Sequence, residues 1–275
     1  ARAGTPGAGP GSHQLTSLRY LIGRHAIVTG GGRGIGAAVS LELARLGANV
    51  TIMGRDQVRL DAHADVVAKA HGVEVAAVRC EVSDAASVGE AFGIARETLG
   101  VPYILVNNAG QADGAPFSAT SLTLWNRLIA VNLTGTFLCM QQVVPAMVEA
   151  KEGRIVNVES MSGLKAFQRV AAYTASKHGV IGLTKAVALE TAKSGVTVNA
   201  VCPAYTDTDM ATHAIESIMR SGKSEPEARS MILRTIPRGS LITPDEVAAA
   251  VAWLCSPGAS GVTGDALTVA GGAGL

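Results

Sequence analysis

From residue 25 onward, apolar and polar positions fall into two alternating patterns. Short β-branched or apolar runs occur at His25–Thr29, Ala48–Met53, Glu74–Val78, Tyr103–Asn107, Arg154–Val158, Thr197–Val201 and Ala266–Val269. Each reads as a strand covered on both faces, which is apolar throughout rather than alternating. Between them, longer stretches repeat apolar residues at helical spacing: Ile35–Leu46, Val58–Ala70, Ala85–Thr98, Leu122–Ala150, Ala171–Ser194 and Pro244–Leu254. Gly47 stands where a helix ends, Ser83 reads as the cap of the third helix, and Thr243-Pro244 reads as a cap followed by Pro at the first helical position. Seven strands alternating with helices predict an α/β fold: a Rossmann-type, doubly wound parallel seven-stranded sheet with helices on both faces.

The alternation runs almost to Leu275 with neither an internal linker nor a repeat, so residues 23–275 are expected to form a single domain. Residues 1–22 are expected to be a flexible arm, because Ala1–Ser12 is rich in Gly, Ala and Pro. The stretch from Tyr205 to Ile242 breaks the rhythm: it is helical and polar and follows the carboxyl end of a predicted strand. It reads as a mobile cover over a site.

Composition narrows the functional classes. With 23 Lys+Arg against 22 Asp+Glu, the net charge is +1, which gives no basic excess for a phosphate backbone. Aromatics are only 4%, too few for a base-stacking platform, so nucleic acid is not an expected partner. No apolar run is expected to reach the roughly 18 residues that a bilayer requires. The best candidate, Val247–Cys255, is too short, and no membrane association is expected. No secretory-type apolar stretch stands near residue 1, and a cytoplasmic location is expected. Cys80, Cys139, Cys202 and Cys255 lie far apart in the chain and read as buried thiols. No His cluster suggests a metal.

The first strand runs into Thr29-Gly30-Gly31-Gly32-Arg33-Gly34-Ile35-Gly36. Glycines allow a tight turn and close approach of backbone to a pyrophosphate, and the helix that follows offers unpaired N–H groups. The string therefore predicts dinucleotide binding, with Gly30, Arg33, Gly34, Ile35 and Gly36 at the cofactor. About 20 residues further on, where an NAD site usually carries an acidic residue, the chain has Gly54-Arg55. Arg55, assisted by Arg33, is placed for a 2′-phosphate, so NADP(H) is preferred and NAD(H) possible.

From about Gly23 to Gly272 the sequence resembles the classical short-chain dehydrogenases/reductases. The residues that carry the resemblance are the glycine string, Asn107-Asn108-Ala109-Gly110, Asn132, Ser160, Tyr173-x-x-x-Lys177, and Pro203 followed by Thr208. The resemblance implies catalytic roles for Asn132, Ser160, Tyr173 and Lys177. It also implies cofactor contacts by Glu81, Val82, Asn108, Ala109, Gly110, Tyr173, Lys177, Pro203, Thr206 and Thr208. The family spacing to the tyrosine selects Ser160 over Ser162. Asn132 is implied to fix a water chain to Lys177.

The chemistry has its own logic. Tyr173 and Lys177 are four apart and share a helix face. A neighbouring ammonium favours phenolate, so the tyrosine can exchange a proton with a carbonyl or alcohol oxygen near neutral pH. Ser160 can hydrogen-bond that same oxygen. Three positions depart from the family pattern: Glu81 replaces an Asp, Glu159 replaces a small residue before the catalytic serine, and Ala204 replaces the Gly after Pro203.

Leu164, Phe167 and Gln168 form one expected wall of a substrate site. The cover, with Tyr205, Met210, His213, Ile215, Ile218, Met219 and Met231, forms the other. The expected substrate contacts are Ser160, Leu164, Gln168, Tyr205 and Met210. Ser176-Lys177-His178-Gly179 and Asn199–Pro203 look most like 3-oxoacyl-thioester and polyketide ketoreductases. The expected partner is thus a small-molecule ketone or secondary alcohol, including acyl thioesters. Alternatives are a dehydrogenase of cyclic or aromatic secondary alcohols and a catalytically silent cofactor-binding regulator. The long apolar faces of Leu122–Ala150 and Ala171–Ser194 imply, by the same resemblance, a homotetramer.

Overall fold

The computed structural model describes residues 19–274. Seven parallel strands form one sheet in the order β3-β2-β1-β4-β5-β6-β7. They are β1 His25–Thr29, β2 Asn49–Gly54, β3 Val75–Arg79, β4 Ile104–Asn107, β5 Gly153–Val158, β6 Val196–Pro203 and β7 Ala266–Val269. The α-helices are α1 Gly34–Arg45, α2 Gln57–His71, α3 Ala85–Leu99, α4 Leu122–Leu128, α5 Gly135–Ala150, α6 Ala171–Thr191, α7 Asp209–Met219, α8 Glu225–Leu233 and α9 Pro244–Leu254.

The period of two along each strand distributes side chains between two cores. Ala26, Val28, Val50, Ile52, Ile104 and Val106 pack with α1, α2 and α9 through Val39, Leu43, Leu60, Val67 and Val251. Ile27, Met53 and Leu105 point the other way, onto α3, α5 and α6 through Val88, Phe92, Cys139, Val143 and Ala188. All four cysteines are buried free thiols. The strand order reverses between β1 and β4, so a crevice opens at their carboxyl ends.

Four expectations need correction. Tyr20–Ile22 belong to the fold rather than to an arm. Leu21 is fully buried, its N–H donates to Leu46 O at 3.0 Å, and the Tyr20 hydroxyl donates to Ala252 O at 2.8 Å. The rest of the expected arm, residues 1–18, lies outside the described residues. Asp84, not Ser83, caps α3: its carboxylate accepts from Ala86 N–H at 2.9 Å. Ser83 instead donates to Glu81 Oε1 at 2.7 Å.

The run Leu122–Ala150 is, contrary to expectation, apolar and long enough to cross a membrane by length and composition alone. Within the fold it lines the core, with Leu128, Cys139, Met140, Val143 and Met147 buried. Nor is it one regular helix. A π-helical stretch, Ile129–Thr134, separates α4 from α5.

The segment from Tyr205 to Ile242 is pinned at its base. Asp207 N–H donates to Ile242 O at 2.8 Å, and Ile242 N–H donates to Tyr205 O at 3.0 Å. Between these points α7 and α8 enclose a small core of their own, Ile215, Ala228 and Ile232.

Candidate active site

The site begins where β1 ends. Gly30 and Gly34 have φ of +64° and +52°, in the left-handed region that favours glycine. A Cβ on Gly36 would overlap Gly30 O and lie 2.5 Å from Asn108 Nδ2, so no other residue fits there. Arg33, at the N-cap of α1, makes no side-chain cap bond, and the first turn carries no acidic residue. The first-turn N–H groups and the positive end of the helix dipole are left for an anion. These features fit the pyrophosphate of a dinucleotide.

The neighbouring loop is stitched to this string. Thr29 Oγ1 accepts from the N–H groups of Asn108 and Ala109 at 3.0 and 3.1 Å. Asn108 Nδ2 donates to Thr29 O at 3.0 Å and Gly30 O at 3.2 Å. Behind it, Asn107 Nδ2 donates to Asn157 Oδ1 at 2.9 Å, and Asn157 Nδ2 donates to Thr184 Oγ1 at 2.8 Å. The first bond ties β4 to β5, and the second ties β5 to α6.

At the outer end of the crevice, Arg55 is exposed and pairs with Glu81 at 3.7 Å. Glu81 is held from its other side by Ser83. Val82 is buried against Gly135. Arg33 reaches across to Asp209, the first residue of α7, at 2.9 Å. Thr208, N-cap of α7, lies over Gly34: a Cβ on Gly34 would meet its methyl at 3.2 Å. Thr206 is buried beside Ala204, to whose carbonyl its hydroxyl donates at 3.1 Å, and Pro203 ends β6.

The central residues converge on the carboxyl end of β5. Tyr173 and Lys177 are both buried on α6. Lys177 Nζ lies 5.9 Å from the Tyr173 ring centroid. The ammonium donates to Val158 O at 3.2 Å and to Glu159 Oε1 at 3.4 Å. Ser160 follows directly and accepts from Ser162 N–H at 3.1 Å, which leaves its own hydroxyl hydrogen available to donate. Asn132, fully buried in the π-helical stretch, accepts from Gln111 N–H at 2.8 Å. Its amide donates to Gln111 O and Ser176 Oγ, each at 3.0 Å. Ser176 in turn donates to Tyr173 O at 2.7 Å. Asn132 thus joins the loop after β4 to α6 beside the tyrosine.

Burial pushes the Glu159 carboxyl up to about 7, against the pull of Lys177. Burial would lower Lys177, but Glu159 and the Tyr173 phenol outweigh it and hold the ammonium above its ordinary range.

On the substrate side, the base of the cover approaches the tyrosine: burial, and then the Tyr173 phenol, push the Tyr205 hydroxyl up. Met210, Leu164 and Gln168 are exposed, and Tyr205 is partly so. Leu164 lines a cleft of about 340 Å³ with Met161, Lys165 and the glycine-rich tail Gly271–Gly274. Ile215 turns instead into the cover's own core.

Sequence reasoning missed Gln111 and Ser176, which orient Asn132, and the Asp209 partner of Arg33. It noted Glu159 without placing it on Lys177. Only the unusual acidic residue before Ser160 gave a signal.

The model of the short chain dehydrogenase family matches residues 24–218. The chain belongs to this family. A Streptomyces violaceoruber protein, provisionally named ketoacyl reductase 1 of the granaticin polyketide synthase, is 40% identical over 252 residues. That match covers 90% of this chain and 92% of the relative. The 3-oxoacyl-[acyl-carrier-protein] reductase of Aquifex aeolicus is 37% identical over 252 residues, covering 92% and 98%. The crystal structure of a single-substitution variant of actinorhodin polyketide ketoreductase with NADPH superposes with a TM-score of 0.88 at 38% identity, covering 91% of this chain and 97% of that one. As a short-chain dehydrogenase/reductase, the chain is an oxidoreductase acting between a CH–OH group and a ketone with a nicotinamide cofactor.

Proposed function

We propose that this chain reduces a 3-oxoacyl thioester, or a ketone of similar polarity, with NADPH in preference to NADH. The observation that carries the reading is the buried Tyr173–Lys177 pair on α6, set at the carboxyl end of β5 beside the glycine cradle. The relatives that act on ketoacyl groups, and the NADPH-bound structural neighbour, support the substrate and cofactor class.

In this reading the bound nicotinamide supplies the hydride. The cradle of Gly30, Gly34, Ile35 and Gly36 would hold its pyrophosphate, and Arg55 with Arg33 its 2′-phosphate. Asn108, Ala109, Gly110, Pro203, Thr206 and Thr208 would border it, with Glu81 and Val82 at the adenine. Tyr173 donates its phenolic proton to the carbonyl oxygen, and Ser160 donates a hydrogen bond to the same atom. Lys177 stabilises the phenolate that remains. Asn132 holds the loop after β4 and the Tyr173 turn in register. The chain from Tyr20 onward acts as one catalytic domain with the 205–242 segment as its cover, in a homotetramer in the cytoplasm. Exposed Leu122, Phe137, Val148 and Leu189 on α4, α5 and α6 support the assembly.

The test is a panel of 3-oxoacyl thioesters, cyclic ketones and aromatic secondary alcohols with both cofactors, read by nicotinamide absorbance. The reading expects the highest kcat/KM for a 3-oxoacyl thioester with NADPH. Higher values for a cyclic or aromatic alcohol would move the substrate class there, and absence of turnover with every compound would favour a cofactor-binding regulator.

A further inference from the structure

We propose that Glu159 is a positioning residue for this reaction: its carboxylate shares the buried Lys177 ammonium with Tyr173 and so keeps Tyr173 protonated, the form that ketone reduction requires. The proposal rests on the reading of Tyr173 and Lys177 as the proton-transfer pair. Its ground is geometric. Glu159 Oε1 lies 3.4 Å from Lys177 Nζ, and both side chains are buried. It is the carboxylate within ion-pair distance of Lys177 among the described residues. Its position is rigid: β5 ends one residue earlier, and Glu159 N–H donates to Val201 O at 2.7 Å. Oε2 is buried with no partner, so the carboxylate is committed to the ammonium on one side only.

In reduction the Tyr173 O–H bond breaks, its proton goes to the ketone oxygen as hydride reaches the carbonyl carbon, and a phenolate remains. In oxidation the phenolate must exist first, to take the alcohol proton. A lone ammonium beside Tyr173 would stabilise phenolate strongly in this buried setting. An ionised Glu159 balances that ammonium and leaves phenolate less favoured. Reduction then persists to higher pH, and oxidation begins at higher pH. Because burial raises the Glu159 carboxyl to about 7, this balance operates above neutrality.

The other titratable groups facing the pair do not duplicate it. From β6, Cys202 stays a thiol, pushed by burial up to about 12. Tyr205 faces Tyr173 from the base of the cover and is raised by burial. Asp265, before β7, raises Cys202 further.

The experiment titrates tyrosinate absorbance in the full chain for wild type, Glu159→Gln, Glu159→Ser and Glu159→Asp. Each trace is corrected by the same protein carrying Tyr173→Phe, which isolates Tyr173. Both neutral variants are expected to lower the Tyr173 midpoint by about one pH unit, the scale of one nearby charge. Glu159→Asp should stay near wild type. The rise of 3-hydroxybutyryl-CoA oxidation with pH should move down with the midpoint, in kcat more than in the KM for NADP⁺. An unmoved or raised midpoint in the neutral variants overturns the proposal. So does an equal shift in Glu159→Asp, or failure of both neutral variants to fold. If Tyr173→Phe alone kept full turnover, the proton-transfer reading itself would fail. If it is inactive and the Glu159→Gln midpoint is unmoved, only the role of Glu159 falls.

Discussion

Gly54 occupies the position where a carboxylate would meet a ribose 2′-hydroxyl, and it has room for one: a Cβ there would lie 3.4 Å from Leu60, an ordinary contact. Replacing Gly54 with Asp and Arg55 with Gln should therefore lower the NADPH/NADH ratio of kcat/KM by about 10–100-fold, the scale of one or two charge-assisted hydrogen bonds. Initial rates with both cofactors check this; an unchanged ratio would make Arg55 a surface charge paired with Glu81. At this scale the residues of the candidate site were legible, because Tyr173 and Lys177 lie one helical turn apart and Ser160 and Asn132 keep their spacing to them. What joins them was not legible. Lys177 meets Glu159, Arg33 meets Asp209, and Asn132 meets Gln111 only once β5, α6 and α7 have docked. No local pattern encodes those pairings.

The π-helical stretch Ile129–Thr134 shows the same limit for elements. Its apolar spacing reads as one long helix, yet the register shifts so that Asn132 can turn inward and satisfy three polar groups. Asn132→Ala would remove all three bonds and leave the half-buried Gln111 N–H and C=O without their side-chain partner. It should cost about 1–3 kcal/mol in denaturant unfolding and lower kcat; a change below about 0.5 kcal/mol would contradict the role given to Asn132. The cover, too, was legible as an interruption of the strand–helix rhythm. Its internal packing was not, since Ile215, Ala228 and Ile232 face each other rather than a ligand. A segment held mainly by its own small core, with single contacts from Arg33 to Asp209 and from Arg238 to Gly271 beside its two base hydrogen bonds, opens more easily than the sheet. Amide exchange in residues 208–240 is expected to be faster than in β1, β4 and β5, and to slow with NADPH and a 3-oxoacyl thioester. Protection equal to the central strands in the free protein would remove the cover from the mechanism.

For the whole molecule, the β/α alternation was enough to anticipate seven parallel strands, because strands buried on both faces are apolar throughout and each crossover needs a helix. The fold boundary was misjudged at Tyr20–Ile22, whose anchoring depends on distant Leu46 and Ala252. Exposed apolar residues on α4, α5 and α6 predict assembly. Light scattering at micromolar concentration should give four times the 28.0 kDa chain mass, and a monomer would contradict it. In the proposed reaction Tyr173 transfers the proton in a reduction run with NADPH. Its most direct test is the rate of NADPH consumption with acetoacetyl-CoA in wild type and Tyr173→Phe, with NADPH affinity followed by fluorescence. The expected result is a kcat loss of about 10²–10⁴-fold at nearly unchanged affinity. Turnover close to wild type in Tyr173→Phe would contradict it.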